Sequence, residues 1–382
     1  MLHSPFLEEK ISLKELNLIL LDLPQKAVFL SGIGVRKSRQ TLIVQWIDQD
    51  GRISYGECSC RPDPYFSAEF LEAATVLIKD FVFPQLKSEQ TYGDLLAILQ
   101  RIRGWNFTKA AVEAAAYQNI IQKTPSASLF TTLKIAPLAQ IPVGISIGIH
   151  HDAAAFKAQV QEAIDAGYRR LKFKISPTVN LAAFDAIKPL LETAKLKLSF
   201  DANGSYRLKD LDKFAYFAAF GVAIEQAFPP DRFDIYLAAK ARFPELKICF
   251  DEEVESLGDL VKLHQLGAID ELNLKPGRVG GLYNSLQIMA YCATHQIPCW
   301  IGGMFETGIG RSFNLEFAAH LPDATAHDLS PSDRYFMEDI VAPSIQMTNG
   351  LVDRQSASQV QVVPERLEKY MTKRISLALV PV

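Results

Sequence analysis

The chain has 382 residues, 48% of them hydrophobic and 22% charged, with a formal net charge of −3. That length exceeds one small core and points to two domains, or to a large barrel with an attached domain. No Lys/Arg-rich block is present, which argues against nucleic acid or an anionic membrane surface as partner, and no apolar run reaches the roughly 18 residues of a membrane span.

Residues 1–15 lack the basic start, apolar core and small-residue cleavage site of a signal peptide. The cysteines (Cys58, Cys60, Cys249, Cys292, Cys299) are odd in number and unrelated in spacing, so they read as reduced thiols in a cytoplasmic protein. Cys58 and Cys60, with no second pair, are a weak signal for a soft metal.

In chain order, residues 10–23, 41–47 and 52–57 are β-rich. The last two flank Asp48-Gln49-Asp50-Gly51, a hairpin turn signature. Ahead of them, Ser31-Gly32-Ile33-Gly34 reads equally as a plain turn or as a lid hinged on two glycines. Residues 67–86 and 107–123 carry helical spacing, with an Ala-rich stretch at 110–116. The expectation is an amino-terminal α+β capping domain over residues 1–137.

Beyond it the pattern becomes regular. Short β-rich runs recur at 142–147, 170–175, 196–200, 222–224, 246–250, 271–274 and 298–301, and an eighth is placed at 324–328. Helical stretches such as 208–220, 257–266 and 282–295 separate them. Strand–helix alternation implies parallel βα units, and eight of them close a barrel. The expectation is an α/β fold with a modified, TIM-like (β/α)8 barrel over 138–349. Residues 350–382 leave the alternation and are expected to return to the capping domain.

Ionisable residues fall at the carboxyl ends of five consecutive runs: Lys174, Asp201, Glu225, Asp251 and Lys275, separated by 27, 24, 26 and 24 residues. One charged residue at a strand end commonly just opens a loop. Five in phase converge on the face of a parallel barrel where active sites are built. Carboxylates on three adjacent strands repel one another unless a divalent cation is shared, and oxygen ligation favours Mg²⁺ or Mn²⁺ over zinc. Asp201, Glu225 and Asp251 are therefore the candidate metal ligands. Lys174 and Lys275 would approach from opposite sides, and a partly desolvated lysine near a cation can act as a base. The chemistry that needs this set is proton removal beside a carboxylate, through an enediolate whose charge is stabilised. Lys172 alternates with Lys174 on one strand face and is assigned as a helper near the substrate carboxylate.

The segments Leu171-Lys172-Phe173-Lys174, Asp201-Ala202-Asn203, Ile224-Glu225-Gln226, Asp251-Glu252 and Lys275-Pro276-Gly277-Arg278-Val279-Gly280-Gly281 together resemble the enolase superfamily, in its muconate-lactonising subgroup. The resemblance covers nearly the whole chain, including Gly56-Glu57-Cys58 in the capping domain. Within the subgroup, Gly302-Gly303-Met304-Phe305-Glu306-Thr307-Gly308-Ile309-Gly310-Arg311 is similar to the o-succinylbenzoate synthase and N-acylamino acid racemase family. It implies a Mg²⁺-dependent dehydration of 2-succinyl-6-hydroxy-2,4-cyclohexadiene-1-carboxylate in menaquinone biosynthesis. Lys174 would take the α-proton and protonate the departing hydroxyl, with Lys275 stabilising the enediolate from the other face. It also implies substrate contacts from Lys172, Asn203, Gly303, Met304 and Ser146. The chain departs from the family pattern at Glu253, where Ser is common, and at Ala227, where Pro is common. Arg61 is assigned to surface solvation ahead of a substrate contact.

The nearest rival is an N-acylamino acid racemase with the same metal and one lysine for each enantiomer; Arg278 could tune Lys275 for that role. Muconate cycloisomerase fits the 302–311 segment less well. A dipeptide epimerase lacks its Asp-x-Asp pair at 301–306. A barrel that binds a metabolite without catalysis predicts a lost ligand or lysine, and all five positions are intact. The partner is a small carboxylate substrate, and the sequence leaves a homo-oligomer open.

Overall fold

The computed structural model describes residues 4–379 except 32, 33, 151, 195, 323 and 325. The expected strand over 10–23 is two strands. β1 (Lys10–Ser12) leaves to pair with a later segment, and β2 (Glu15–Ser31) joins β3 (Gly34–Ile47) and β4 (Ile53–Cys58) in an antiparallel sheet. The break comes where the chain changes sheets: Leu13 N donates to Ser88 O and Lys14 N to Ile47 O. The Asp-Gly turn between β3 and β4 is closed by Asp48, whose Oδ1 accepts from the N–H groups of Asp50 and Arg52 at 2.9 and 2.8 Å. The candidate lid at 31–34 includes Gly32 and Ile33, which lie outside the described residues.

Three helices complete the domain: α1 (Leu71–Leu77), α2 (Tyr92–Gln100) and α3 (Asn106–Lys123). The Ala-rich stretch buries Ala110, Ala111, Ala115 and Ala116. Small residues on both sides let α3 approach β4 closely; a Cβ on Gly56 would lie 1.9 Å from the Ala111 carbonyl oxygen.

β5 (Glu89–Thr91) is the partner of β1. The expected barrel strand over 142–147 divides at Val143-Gly144. Its first half, β6 (Gln140–Pro142), pairs antiparallel with a segment near the carboxyl end, and its second half, β7 (Ile145–Ile147), starts the barrel. Then follow β8 (Arg170–Lys174), β9 (Lys197–Asp201), β10 (Ala223–Glu225), β11 (Lys247–Phe250), β12 (Glu271–Leu274) and β13 (Cys299–Ile301), each parallel to its sequence neighbour. Seven helices alternate with or follow these strands: α4 (Ala153–Asp165), α5 (Leu181–Ala194), α6 (Leu211–Ala218), α7 (Phe233–Arg242), α8 (Leu257–Gln265), α9 (Leu282–His295) and α10 (Gly308–Ala319).

Among the described residues, the eighth crossing shows two parallel bridges, His327 with Val143 and Asp328 with Gly302, which join β13 back towards β7. Side chains add to the backbone bonds there: His327 Nδ1 accepts from Ile301 N at 3.1 Å, and Ser330 Oγ donates to Gly144 O at 2.9 Å. Burial, assisted by the charge of Arg170, holds the His327 pKa down to about 3, so the ring stays neutral in this role.

Outward residues of β8 and β9 build the core between strands and helices. Phe173 and Phe200 meet Phe156 of α4, Phe184 of α5 and Phe217 of α6 at centroid separations of 4.8–6.2 Å. Near the carboxyl end, β14 (Leu351–Asp353) is the antiparallel partner of β6, and β15 (Met371–Ala378) adds to the capping sheet beside β2. Among the described residues, no helix is long and apolar enough to cross a membrane.

Glu113 of α3 is buried where the capping helix meets the barrel, accepting from Tyr92 Oη at 2.6 Å and Tyr283 N at 2.9 Å. Burial pushes its pKa from the usual 4.5 up to about 7, only partly opposed by these hydrogen bonds. The folded chain thus keeps a proton that the unfolded chain loses. This group's contribution to stability is complete below about pH 4.5 and is lost as pH rises through about 7. Glu113→Gln is expected to remove a decline on the order of 3 kcal/mol across that window. Denaturant titrations of both proteins at a series of pH values check this, and parallel curves would refute it.

Candidate active site

Two strands place alternate residues inside the barrel, in layers. On β8 these are Arg170, Lys172 and Lys174; on and just after β12 they are Glu271, Asn273 and Lys275. In the lowest layer Arg170 stacks on Trp300, its guanidinium carbon 3.7 Å from the ring centroid, and lies 3.5 Å from Glu271. That layer plugs the amino-terminal end. In the middle layer the Lys172 ammonium meets Asp328 at 3.0 Å, Glu225 at 3.1 Å and Asp201 at 3.2 Å, while Asn273 Nδ2 donates to Glu225 Oε1 at 2.8 Å. At the mouth, Lys174 Nζ donates to Asp201 Oδ2 at 2.6 Å and Asn203 Oδ1 at 2.7 Å. Lys275 Nζ donates to Asp251 Oδ2 at 2.7 Å.

Strand register explains why these groups meet. Lys174 is paired with Asp201 across β8 and β9, and Asp201 with Glu225 across β9 and β10. Asp251 follows β11, the next strand. The carboxylates therefore stand side by side, with Lys174 bound on the Asp201 flank and Lys275 on the Asp251 flank. Burial opposes the charge of Lys172, but Asp328, Glu225 and Asp201 outweigh it and raise the pKa well above the ordinary ammonium value. Asp328 is held down at about 2, because Lys172 and the Ser146 hydroxyl more than offset its burial. Burial and the adjacent Asp201 charge push Glu225 upward.

The structure brings Lys172, Lys174, Asp201, Asn203, Glu225, Asp251 and Lys275 into this cluster. Ser146 joins it indirectly, donating to Asp328 Oδ2 at 2.8 Å. Gly303 and Met304 lie on the loop after β13, beside a buried pair: Met304 N donates to Glu306 Oε1 at 2.7 Å, and Arg311 meets Glu306 at 3.0 Å. A Cβ on Gly303 would sit 2.6 Å from Arg311 Nη1, so only glycine fits there without displacing the guanidinium. Arg278 contacts Asp251 Oδ1 and donates to Asn273 O and Val254 O, gripping the carboxylate that Lys275 also holds.

Several contributors were missed in the sequence. Asp328 ends the eighth crossing as Asp201 ends β9, so the same strand-end rule points to it. Asn273 lies two residues before Lys275 on the same inward face, a period-2 signal. Glu252 gives no such signal; its Oε1 accepts from Asn203 Nδ2 at 2.9 Å through a loop conformation in which Asn203 has φ 44°. Arg61 is corrected. It is buried, not solvated, because Asp63 binds its guanidinium through two hydrogen bonds at 2.7 and 2.8 Å. All five cysteines are buried free thiols, with Cys58 and Cys60 Sγ atoms 3.5 Å apart.

Among the described residues, no group of three or more His, Cys, Asp or Glu side chains is arranged as a ready ligand set. Lysine and arginine donors take most of the carboxylate oxygens instead. Glu225 Oε2 and Glu252 Oε2 are nevertheless buried without a hydrogen-bond partner. Orphaned oxygens beside two further carboxylates form a hard donor set that fits a divalent cation, with Asp201, Glu225 and Asp251 to hold it.

A family model described as Enolase C-terminal domain-like matches residues 155–358. An o-succinylbenzoate synthase of Listeria innocua serovar 6a is 32% identical, covering 87% of this chain and 88% of that protein. An N-succinylamino acid racemase of Amycolatopsis sp is 30% identical, covering 92% of this chain and 96% of that protein. A solved enolase-superfamily member from Listeria innocua Clip11262 superimposes with a TM-score of 0.87 at 30% identity, covering 96% of this chain and 99% of that one. The chain belongs to the enolase superfamily, within the family of these o-succinylbenzoate synthases and N-succinylamino acid racemases.

Proposed function

We propose that this enzyme is an o-succinylbenzoate synthase, dehydrating 2-succinyl-6-hydroxy-2,4-cyclohexadiene-1-carboxylate. The observation that carries the reading is the placement of Lys174 and Lys275 on opposite flanks of Asp201, Glu225 and Asp251, in a chain 32% identical to a synthase over most of its length. Lys174, oriented by Asp201 and Asn203, takes the α-proton and returns it to the departing hydroxyl, which leaves as water. Lys275, oriented by Asp251, faces the negative charge that develops on the carboxylate side. Lys172 lies deeper and stays protonated among its carboxylates, so it supplies fixed positive charge below the substrate. The Arg170–Trp300 layer beneath it blocks water from the amino-terminal end.

Enolase-superfamily enzymes generally depend on a divalent metal, and the oxygen donors here favour Mg²⁺. Bound by Asp201, Glu225 and Asp251, the ion would neutralise those carboxylates and stabilise negative charge on the substrate. Chelation is expected to abolish turnover and added Mg²⁺ to restore it. Asp251→Asn should weaken Mg²⁺ binding at least about tenfold by calorimetry; full activity in excess chelator would refute the assignment.

The racemase reading is favoured by the same flanking lysines and by the Amycolatopsis relative. Lys174→Ala is expected to lower dehydration by at least about 10²-fold, with substrate binding retained. Steady-state turnover of the cyclohexadiene acid, set against racemisation of N-succinyl amino acids, separates the readings. Dehydration preserved in Lys174→Ala would exclude this lysine as the base.

A further inference from the structure

Two buried carboxylates of the capping domain end on the amino termini of barrel helices. Glu57, on β4, accepts from Thr307 N at 3.0 and 3.1 Å, from Thr307 Oγ1 at 2.7 Å and from Gly310 N at 3.1 Å, at the start of α10. Thr41 Oγ1, from β3, adds a bond at 3.0 Å from within the capping sheet. Glu113, on α3, accepts from Tyr283 N at 2.9 Å and from the Leu282 backbone, at the start of α9. Unsatisfied N–H groups and the positive end of the helix dipole make each such terminus a site for negative charge. Both fits are close. A Cβ on Gly281 would lie 1.7 Å from Glu113 Oε2, and one on Gly310 would lie 2.9 Å from Glu57 Oε2.

What precedes each helix gives these contacts a consequence. The residue before Thr307 is Glu306, which holds Met304 N at 2.7 Å and pairs with Arg311 at 3.0 Å. Glu57 is therefore linked through Thr307 and Glu306 to the Gly303-Met304 loop. The segment before Leu282 runs back to Lys275 through Arg278, whose carbonyl accepts from Asn106 Nδ2 of α3 at 2.8 Å. Glu113 and Asn106 thus hold both ends of the stretch that follows Lys275. We propose that Glu57 and Glu113 are positioning residues by which the capping domain sets two different parts of the site, the substrate loop at 302–305 and the lysine at 275. The kinetic part of this proposal rests on the reading of the site given above; the structural part does not.

The test compares Glu57→Gln and Glu113→Gln at pH 8, read by backbone hydrogen exchange and by steady-state kinetics. Exchange at Thr307 and Gly310 is expected to speed at least about tenfold in Glu57→Gln, and that at 282–283 similarly in Glu113→Gln, with distant barrel amides unchanged. The kinetics should split: Glu57→Gln raises KM about tenfold with kcat within about threefold, and Glu113→Gln lowers kcat about tenfold with KM within about threefold. If Glu57→Gln does not fold, Thr307→Ala, which removes the 2.7 Å hydroxyl contact, must show the same rise in KM. Unchanged local exchange, or equal changes in kcat and KM in both variants, overturns the proposal. Local exchange gains in a protein with no turnover of the cyclohexadiene acid would instead leave the locks standing and refute the reading of the site.

Discussion

Carboxylates cannot be collected inside a protein without cations to match them; an unpaired buried charge costs several kcal/mol. Asp201, Glu225, Asp251 and Asp328 converge in the barrel, and the inward faces of β8 and β12 are built around that fact. Lys172 serves three carboxylates at once, while Lys174 and Lys275 each hold one at the mouth. Lys174 and Lys275, which pair with two of these carboxylates, are also the groups proposed for proton transfer. Stability and chemistry draw on one set of contacts.

That arrangement separates roles by depth. Arg170 and Trp300 seal the base, Lys172 is locked in the middle, and Lys174 and Lys275 stand where a substrate could reach them. A deep cation with three partners is a fixed charge. A cation near the opening with one carboxylate partner is easier to recruit as an acid or base. The relatives of this chain include both an o-succinylbenzoate synthase and an N-succinylamino acid racemase.

The capping domain does more than cover the opening. Its carboxylates Glu57 and Glu113 reach the helix starts that follow the substrate loop and the second lysine. Helix amino termini present N–H donors in fixed directions, so under the proposed positioning a small shift of the cap would be passed to the loops as a change in placement.

The alternation of strands and helices, the five in-phase ionisable residues and the Ala-rich capping helix were legible in the sequence, because each depends on local periodicity or on position within a βα unit. The failures occurred where partners are distant. The run at 142–147 divides because β6 finds β14 more than two hundred residues away, and at the eighth crossing the His327 and Ser330 side chains bond to Ile301 and Gly144 on distant elements. Arg61 is a different kind of miss, since the Asp63 that binds its guanidinium is a near neighbour in sequence and what buries Arg61 is the surrounding fold. Residue type and spacing by themselves determined which groups would share one end of the barrel. Which carboxylate each lysine grips, and how the capping domain reaches the helix starts, only the tertiary structure decided, since both depend on side chains meeting across elements that no local pattern relates.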